Sequence, residues 1–575
     1  MGTISDKLMR IINTKEDIRQ ALISKGYDVP TSIPFKEYAK MILDLPCNAD
    51  SFPDIEGIVA RYSASGLTNE QMAANPVWVD KTGNGHDLQL KNFSWKGMSG
   101  IGGYVVDIDE WGTNSTAAYF ERNSIKITAT FKENASLGLL YHNIKLRQSC
   151  VLKVTGIPEG CDAFLDDRLG NRFYMSEDGV YEIIPSNFLA EALYLSIEKY
   201  PERWYGSKLT VEQLPLYPGA LVFDGVDDYG VCNNFPILTK EKGYTVVALR
   251  QWIEEKNDST ALVSNCKNWD QDGAFLFEYN NLRINFLNVA ISFGHVSSVD
   301  RGKSPFSYQT SKLYNGKNIK PGSLIGSNEL IVGKGNKDFP TFSKAAIWEL
   351  VFLDHDATEE ELTKIKDYFV KTYPWLFPDQ AWTVVGKTNE DEDRATITNI
   401  TGNGNDLVLS NFGFIEGSGY NEEGQYAGYL VTDGVDDKIA SSDFKMGKDF
   451  TIVGDWKFID NKKSGTGLVK GSSFYIYNTM IGLDLYINSG SVKNSLDGIK
   501  SINAACSDGR AYDRNWNEIL ANTGNVVGSG GTLEISSSGG RFDRIAFKNL
   551  AIYPRILSKD DCIKAYNYLQ TLKAK

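Results

Sequence analysis

The sequence is poor in the residues that make cross-links and metal cages. Its 575 residues include only seven cysteines and four histidines. The cysteines (Cys47, Cys150, Cys161, Cys232, Cys266, Cys506 and Cys562) are scattered, odd in number and without a C-x-x-C spacing. That argues against a disulfide framework or a zinc site and for assembly in a reducing compartment. No two of His86, His142, His295 and His355 are close enough in sequence to make a local metal motif. No apolar run approaches the roughly 18 residues of a membrane span. Met1 to Ile12 contains Asp6, Lys7 and Arg10 and does not read as a signal peptide. Asp6 also stands where a myristoylation pattern needs Ser or Thr. Basic residues are in deficit, 60 Lys+Arg against 73 Asp+Glu for a net charge of −13, so no nucleic-acid-binding surface is implied.

What is plentiful points to strands. Hydrophobic residues make up 42% and charged residues 23%, a globular balance. Glycine (53) far exceeds proline (17), and the chain holds 29 Tyr, 28 Phe and 11 Trp. Many turns and many aromatics favour an all-β chain.

An internal repeat organises the chain. Thr82–Phe93 (TGNGHDLQLKNF) matches Thr401–Phe412 (TGNGNDLVLSNF) at all but three positions, 319 residues apart. Leu221–Asp228 (LVFDGVDD) matches Leu430–Asp437 (LVTDGVDD) at a spacing of 209. Phe342, Ala346 and Leu350 answer Phe542, Ala546 and Leu550 at a spacing of 200. The fall in spacing means that the first copy carries about 110 extra residues between Phe93 and Leu221, enough for a domain. The expected organisation is a helical segment over 1–45, a linker over 46–52, a first sandwich over 53–103 and 217–376, an inserted β-sandwich over 104–216, and a second sandwich over 379–575. Insertions of this kind succeed at exposed loop tips. Within the insert, period-two alternation predicts strands at 124–131, 151–155, 180–184, 193–197 and 209–214. Each copy ends in a strand (345–353, 545–553) and a short helix. Thr358 with Glu361 makes a capping box; at Ser558, Asp561 stands in for the glutamate.

The first 45 residues differ from everything after them. Thr14 caps a helix whose stripe includes Ile18 and Leu22, and a second helix from Pro34 carries Phe35, Tyr38 and Ile42. An α-hairpin this short buries little alone, so these residues are read as partner-binding.

Two resemblances rest on these motifs. The Thr-Gly-Asn-Gly-x-Asp-Leu opening, the Asp-Gly-Val-Asp-Asp turn and the final strand plus helix resemble concanavalin A-like (laminin-G-like) lectin and glucanase sandwiches. That resemblance implies a mainly β fold of two jelly rolls that bind glycans or serve as structural modules. The N-terminal Ile4–Leu8, Thr14–Pro30 and Pro34–Ala39 resemble the helical segment opening many tailed-phage fibre and appendage proteins, notably those of crAss-like gut phages. It implies a virion protein, assembled in the host cytoplasm and exposed on the particle. Residues 1–45 would then attach it to capsid or tail proteins, and a homo-oligomer, with a trimer favoured, is expected. Bacterial surface glycans are the expected ligand, with no nucleic acid and no membrane.

Chemistry-bearing residues are few. The string Asp107, Asp109, Glu110 is the nearest approach to a glucanase carboxylate strand, but it lacks the first glutamate and has no counterpart in copy two. No enzyme is expected; a glycan depolymerase and a ligand-free spacer are the alternatives. Asp224, Asp227, Asp228, Asp433, Asp436 and Asp437 are read as hairpin turns, with calcium as their possible hard-cation ligand and no cofactor otherwise expected. His86, replaced by Asn405 in copy two, is read as a turn residue. Trp95, Trp204, Trp269 and Trp516, with Trp111, are the candidate sugar-stacking platforms.

Overall fold

The computed structural model describes residues 15, 52–105, 118–123, 125–133, 140–145, 150–167, 169–183, 192–198, 201–239, 241–254, 261–265, 275–278, 304–318, 327–335, 341–422, 426–459, 466–471, 474–478, 482–487, 495–497, 502–520, 529–538 and 541–574. The partner-binding candidates Ile18, Leu22, Phe35, Tyr38 and Ile42 lie outside this set, as do Asp107, Asp109, Glu110, Trp111 and Trp269. Residues 1–55 form one compact unit and 56–575 another; the description below concerns the second.

The fold is mainly β, and the strand pairs are antiparallel. In the first sandwich, strand Lys344–Leu353 is the hub of an eight-stranded sheet. One of its edges pairs with Thr245–Glu254. The other edge is shared in tandem by Ile58–Ser63 and Leu221–Asp224. A six-stranded sheet that includes Leu88–Lys91 and Tyr229–Cys232 belongs to the same core. In the second sandwich, Ile545–Tyr553 pairs with Thr451–Phe458 on one edge and with Gln380–Thr383 and Tyr429–Val431 on the other. The two copies thus repeat one pairing scheme.

Alternation sets which side chains meet across each sandwich. Leu88 and Leu90 point inward from a strand whose other residues are exposed, and Leu407 and Leu409 repeat this. Each hub strand is buried along most of its length, because a closing helix adds to the packing. Glu359–Thr372 contributes Ile365 and Phe369, and its capping box at Thr358 is formed in both directions. Lys559–Gln570 is capped by Ser558, whose oxygen accepts from the Asp561 N–H at 3.1 Å. Asp561 takes the Ser558 hydroxyl instead of the cap's backbone N–H, so only half of the reciprocal box forms.

Residues 118–213 build two sheets of their own. Five strands run in the order Gly179–Ile183, Cys150–Thr155, Lys208–Gln213, Lys126–Phe131, Ala118–Asn123. Four more run Arg172–Met175, Asp162–Asp166, Ala192–Glu198, Leu140–Lys145. The five strands read from alternation are present; Ala118–Asn123, Leu140–Lys145, Asp162–Asp166 and Arg172–Met175 are additional. The segment leaves and re-enters the first sandwich at one place: Leu216 N–H donates to Gly103 O at 2.9 Å and Tyr217 N–H to Gly102 O at 2.8 Å.

Buried Arg–Glu ion pairs lie inside the first sandwich. Arg250 and Glu278 are both almost fully buried, and Glu278 also accepts from Trp252 Nε1, Ser307 Oγ and Tyr314 OH. Arg61 pairs with Glu349 at 3.1 Å, and Tyr373 OH donates to the same carboxylate at 2.8 Å. Each cluster satisfies itself, as buried charge requires.

Candidate functional site

The repeated motifs are turn machinery. Asp80 Oδ1 accepts from the N–H groups of Arg61 and Thr82, both at 3.0 Å, and Asp80 Oδ2 from His86 N–H at 3.3 Å. In copy two Asn399 Oδ1 accepts from Ala381 and Thr401 N–H. His86 acts through its carbonyl, which accepts from Tyr62 OH; Trp382 Nε1 donates to the Asn405 carbonyl in its place. The end of this motif clamps the Asp-Gly turn. Asn92 Nδ2 donates to Asp227 O and Asn411 Nδ2 to Asp436 O, each at 3.0 Å.

In the turns themselves, Asp224 Oδ1 accepts from Val226 N–H at 2.7 Å, and Asp228 accepts from Asp224 N–H and Ser99 Oγ. Asp433, Asp437 and Ser418 repeat the arrangement. Either aspartate triad brings carboxylate oxygens within 4.8 Å of one another. Yet one oxygen of Asp224 and both of Asp228 are committed to protein donors, and burial pushes the Asp228 carboxyl up to about 7 and Asp437 up to about 6. These bonds are those of a closed, hydrogen-bonded turn.

The aromatic candidates divide. Trp204 is 1% exposed and packs edge-on against Phe131 inside the inserted sandwich, so its faces are not offered to a sugar. Trp95 is half-buried and stacks on Phe93 at 4.9 Å, which covers one face. Trp516 is also only 1% exposed, which removes it as an open stacking platform, but it lies at the wall of a cleft.

That cleft runs between the inserted and second sandwiches and has two lobes, of about 330 and 470 Å³. The loop Asp513–Asn517 divides them. Asp513 Oδ1 accepts from the N–H groups of Asn515 and Asn517, both at 2.8 Å, and holds Trp516 in the left-handed region at φ +61°. A bulky residue held there is strained, as Trp95 and Phe414 also are in their turns. The indole meets Tyr566 edge-on at 5.7 Å. From the insert, Glu177 Oε1 accepts from Asn515 Nδ2 at 2.7 Å. A Cβ on Gly179 would come within 3.1 Å of Asn515 Cβ, so the two walls touch there.

Behind the smaller lobe the walls are bolted by charge. Lys548 Nζ reaches Glu182 at 3.3 Å and Asp455 at 3.7 Å, and Tyr566 OH donates to Glu182 at 3.1 Å. Burial opposes the charged form of Glu182, but Lys548, Lys457, Tyr566 and Arg514 together hold its pKa below the ordinary value. Phe173, Tyr174 and Arg514 line the open part of this lobe. The larger lobe is more apolar, walled by Val154, Pro215, Trp516 and Ile563. Asn567 lines it too: its Nδ2 donates to Pro215 O at 3.4 Å, while its buried Oδ1 has no partner among the described residues. Sequence reasoning marked only Trp516 here; the signal for the rest is the Asp-Arg-Asn-Trp-Asn string, turn formers surrounding an aromatic.

No protein-family model matches the sequence, and no curated protein matches it. Among solved structures the chain is similar to Trypanosoma rangeli sialidase, at 8% identity and a TM-score of 0.25 over 78% of this chain and 83% of that one. It is also similar to an arabinofuranosidase complexed with arabinofuranosyl-alpha-1,2-xylobiose, at 8% identity and a TM-score of 0.22 over 83% and 90%. TM-scores this low say nothing about what this chain binds.

Proposed function

We propose that the chain is a non-enzymatic virion appendage protein. In this reading residues 1–45 attach it to a capsid or tail protein of a tailed phage, and its lectin-like sandwiches hold surface glycans of the host. The observation that supports glycan adhesion most is the two-lobed cleft, which combines aromatic walls, side-chain amides and a strained aromatic loop. Sugar rings have apolar C–H faces and hydroxyl edges, and a wall of this mixed kind suits both.

Adhesion is favoured over hydrolysis by the state of the carboxylates. Glycoside hydrolysis needs an acid and a base or nucleophile free to act on substrate. Glu182 is ion-paired and buried, and Glu177 is held by Asn515. Purified full-length protein on a glycan array, with reducing-end release measured on the same glycans, tests the reading. Retention without product is expected. Product lost on replacing Glu177 or Glu182 would make the chain a depolymerase, and no retention would leave a spacer. Attachment is tested separately: protein lacking residues 1–45 should fail to enter particles, and incorporation at normal copy number would refute the anchor.

A further inference from the structure

We infer that the cleft selects acidic saccharides and that Arg514 receives the sugar's carboxylate. This rests on the glycan reading above and adds a substrate class to it.

The charges around the smaller lobe are almost all spoken for. Glu182 is held by Lys548 and Tyr566. Glu177 accepts from the amides of Asn515 and Asn517. Lys548 lies between Glu182 and Asp455, and Lys457 donates to Tyr429 OH at 2.6 Å while lying over the Tyr429 ring. Arg514 differs. It lines the lobe and is exposed, and its guanidinium makes no hydrogen bond or ion pair among the described residues. Its backbone is fixed nonetheless, because its carbonyl accepts from Asn503 Nδ2 at 3.4 Å and the next residues belong to the loop held by Asp513. A free planar fork of N–H donors on a fixed backbone matches a carboxylate in two-point geometry.

The rest of the cleft fits the remainder of such a ligand. Tyr174 is 45% exposed at the same lobe and offers a ring to a sugar's C–H face. Lys153 and Lys559, both exposed and without ion pairs among the described residues, line the larger lobe. Asp178 and Asp560 line the same lobe, so with Lys564 these lysines leave it only a small formal excess of positive charge, on a chain of net charge −13.

The test measures binding of the full-length protein to immobilised hyaluronan, polygalacturonate, dextran and dextran sulfate. Both uronate polymers should bind at least tenfold more tightly than dextran. Arg514→Gln should lose tenfold or more on the uronates while remaining folded, since the side chain makes no hydrogen bond or ion pair among the described residues and acts on Glu182 only through its charge. Arg514→Lys should recover only part of the loss. Unchanged uronate binding by Arg514→Gln, or dextran bound as tightly, overturns the acidic assignment while leaving glycan adhesion standing. Dextran sulfate bound as tightly as the uronates, with the same dependence on Arg514, replaces carboxylate selection by general anion capture. Binding to none of the four overturns both readings.

Discussion

In the first sandwich the hub strand carries Trp348 and Glu349; in the second the same two places hold Lys548 and Asn549. Trp348 Nε1 donates to Pro218 O at 2.8 Å, where the insert returns. Lys548 instead reaches into the insert to Glu182. Glu349 pairs with Arg61, whereas Asn549 Oδ1 accepts from the Asp455 N–H at 3.1 Å. One register further along the neighbouring strand, Arg250 faces Ile347 and Trp456 faces Phe547. The same backbone therefore tolerates an ion pair, an amide or an indole at equivalent depth, provided that most buried polar atoms find partners nearby. The turns did not diverge in this way, because backbone geometry dictates their residues. Divergence gathers on the strand that, in copy two, meets the insert, and that is where the cleft lies.

The comparison breaks most visibly at the buried charges. Glu278→Ala leaves Arg250 buried with its main partner gone and should destabilise the first sandwich by about 3–5 kcal/mol. Trp456→Phe, at the place equivalent to Arg250, should cost less, about 1–2 kcal/mol, all of it from the cavity left in the core, because Trp456 Nε1 has no partner among the described residues. Denaturant titration of each variant measures both.

The two Asp-Gly turns offer a finer contrast. Gly225 and Gly434 have φ of +75° and +74°. An added Cβ would fall 2.7 Å from Lys344 Cβ at Gly225 but 3.2 Å from Arg544 Cβ at Gly434. Both alanine variants incur the left-handed penalty of about 1–2 kcal/mol. Gly225→Ala should melt lower than Gly434→Ala, and equal melting temperatures would remove the packing difference between the copies.

Protonation separates the same turns. Burial is the main reason that Asp228 holds its proton up to about pH 7 and Asp437 to about 6, with their backbone and serine donors opposing it. An acid whose pKa rises on folding binds its proton more tightly in the folded state, so its contribution to stability falls as pH rises above the unfolded value. The wild type should lose stability relative to Asp228→Asn between about pH 4 and 7; against Asp437→Asn the loss should end about one pH unit lower. Melting temperatures across that range check both windows. The smallest effect is expected from a chelator. Since Asp224 and Asp228 already bond protein donors, EDTA should leave the melting curve unchanged, and a clear drop would make the turns calcium sites.

The parts of the fold that the sequence announces are the local ones. Thr82–Phe93 and Thr401–Phe412 are legible because they repeat at all but three positions and turn on the nearby Asp80 and Asn399, and the Asp-Gly turns close on their own aspartates. Period-two alternation finds strands such as Lys208–Gln213, but it misses Asp162–Asp166, where every residue is buried and no alternation survives. Trp204 and Trp516 look alike in sequence, each beside polar residues, because what covers an indole comes from elsewhere in the chain. The cleft is hidden for the same reason. Glu177 and Asn515 meet across 338 positions, and no spacing rule reaches that far.

Hydrogen–deuterium exchange of the full-length protein with and without hyaluronan tests the cleft most directly, because it reads every part of the chain at once. The account predicts added protection at Tyr174–Glu182 and Asp513–Asn517, with the equivalent hub strand of the first sandwich unchanged. Protection confined to the Asp-Gly turns or to the first sandwich, with none at those two segments, would contradict it.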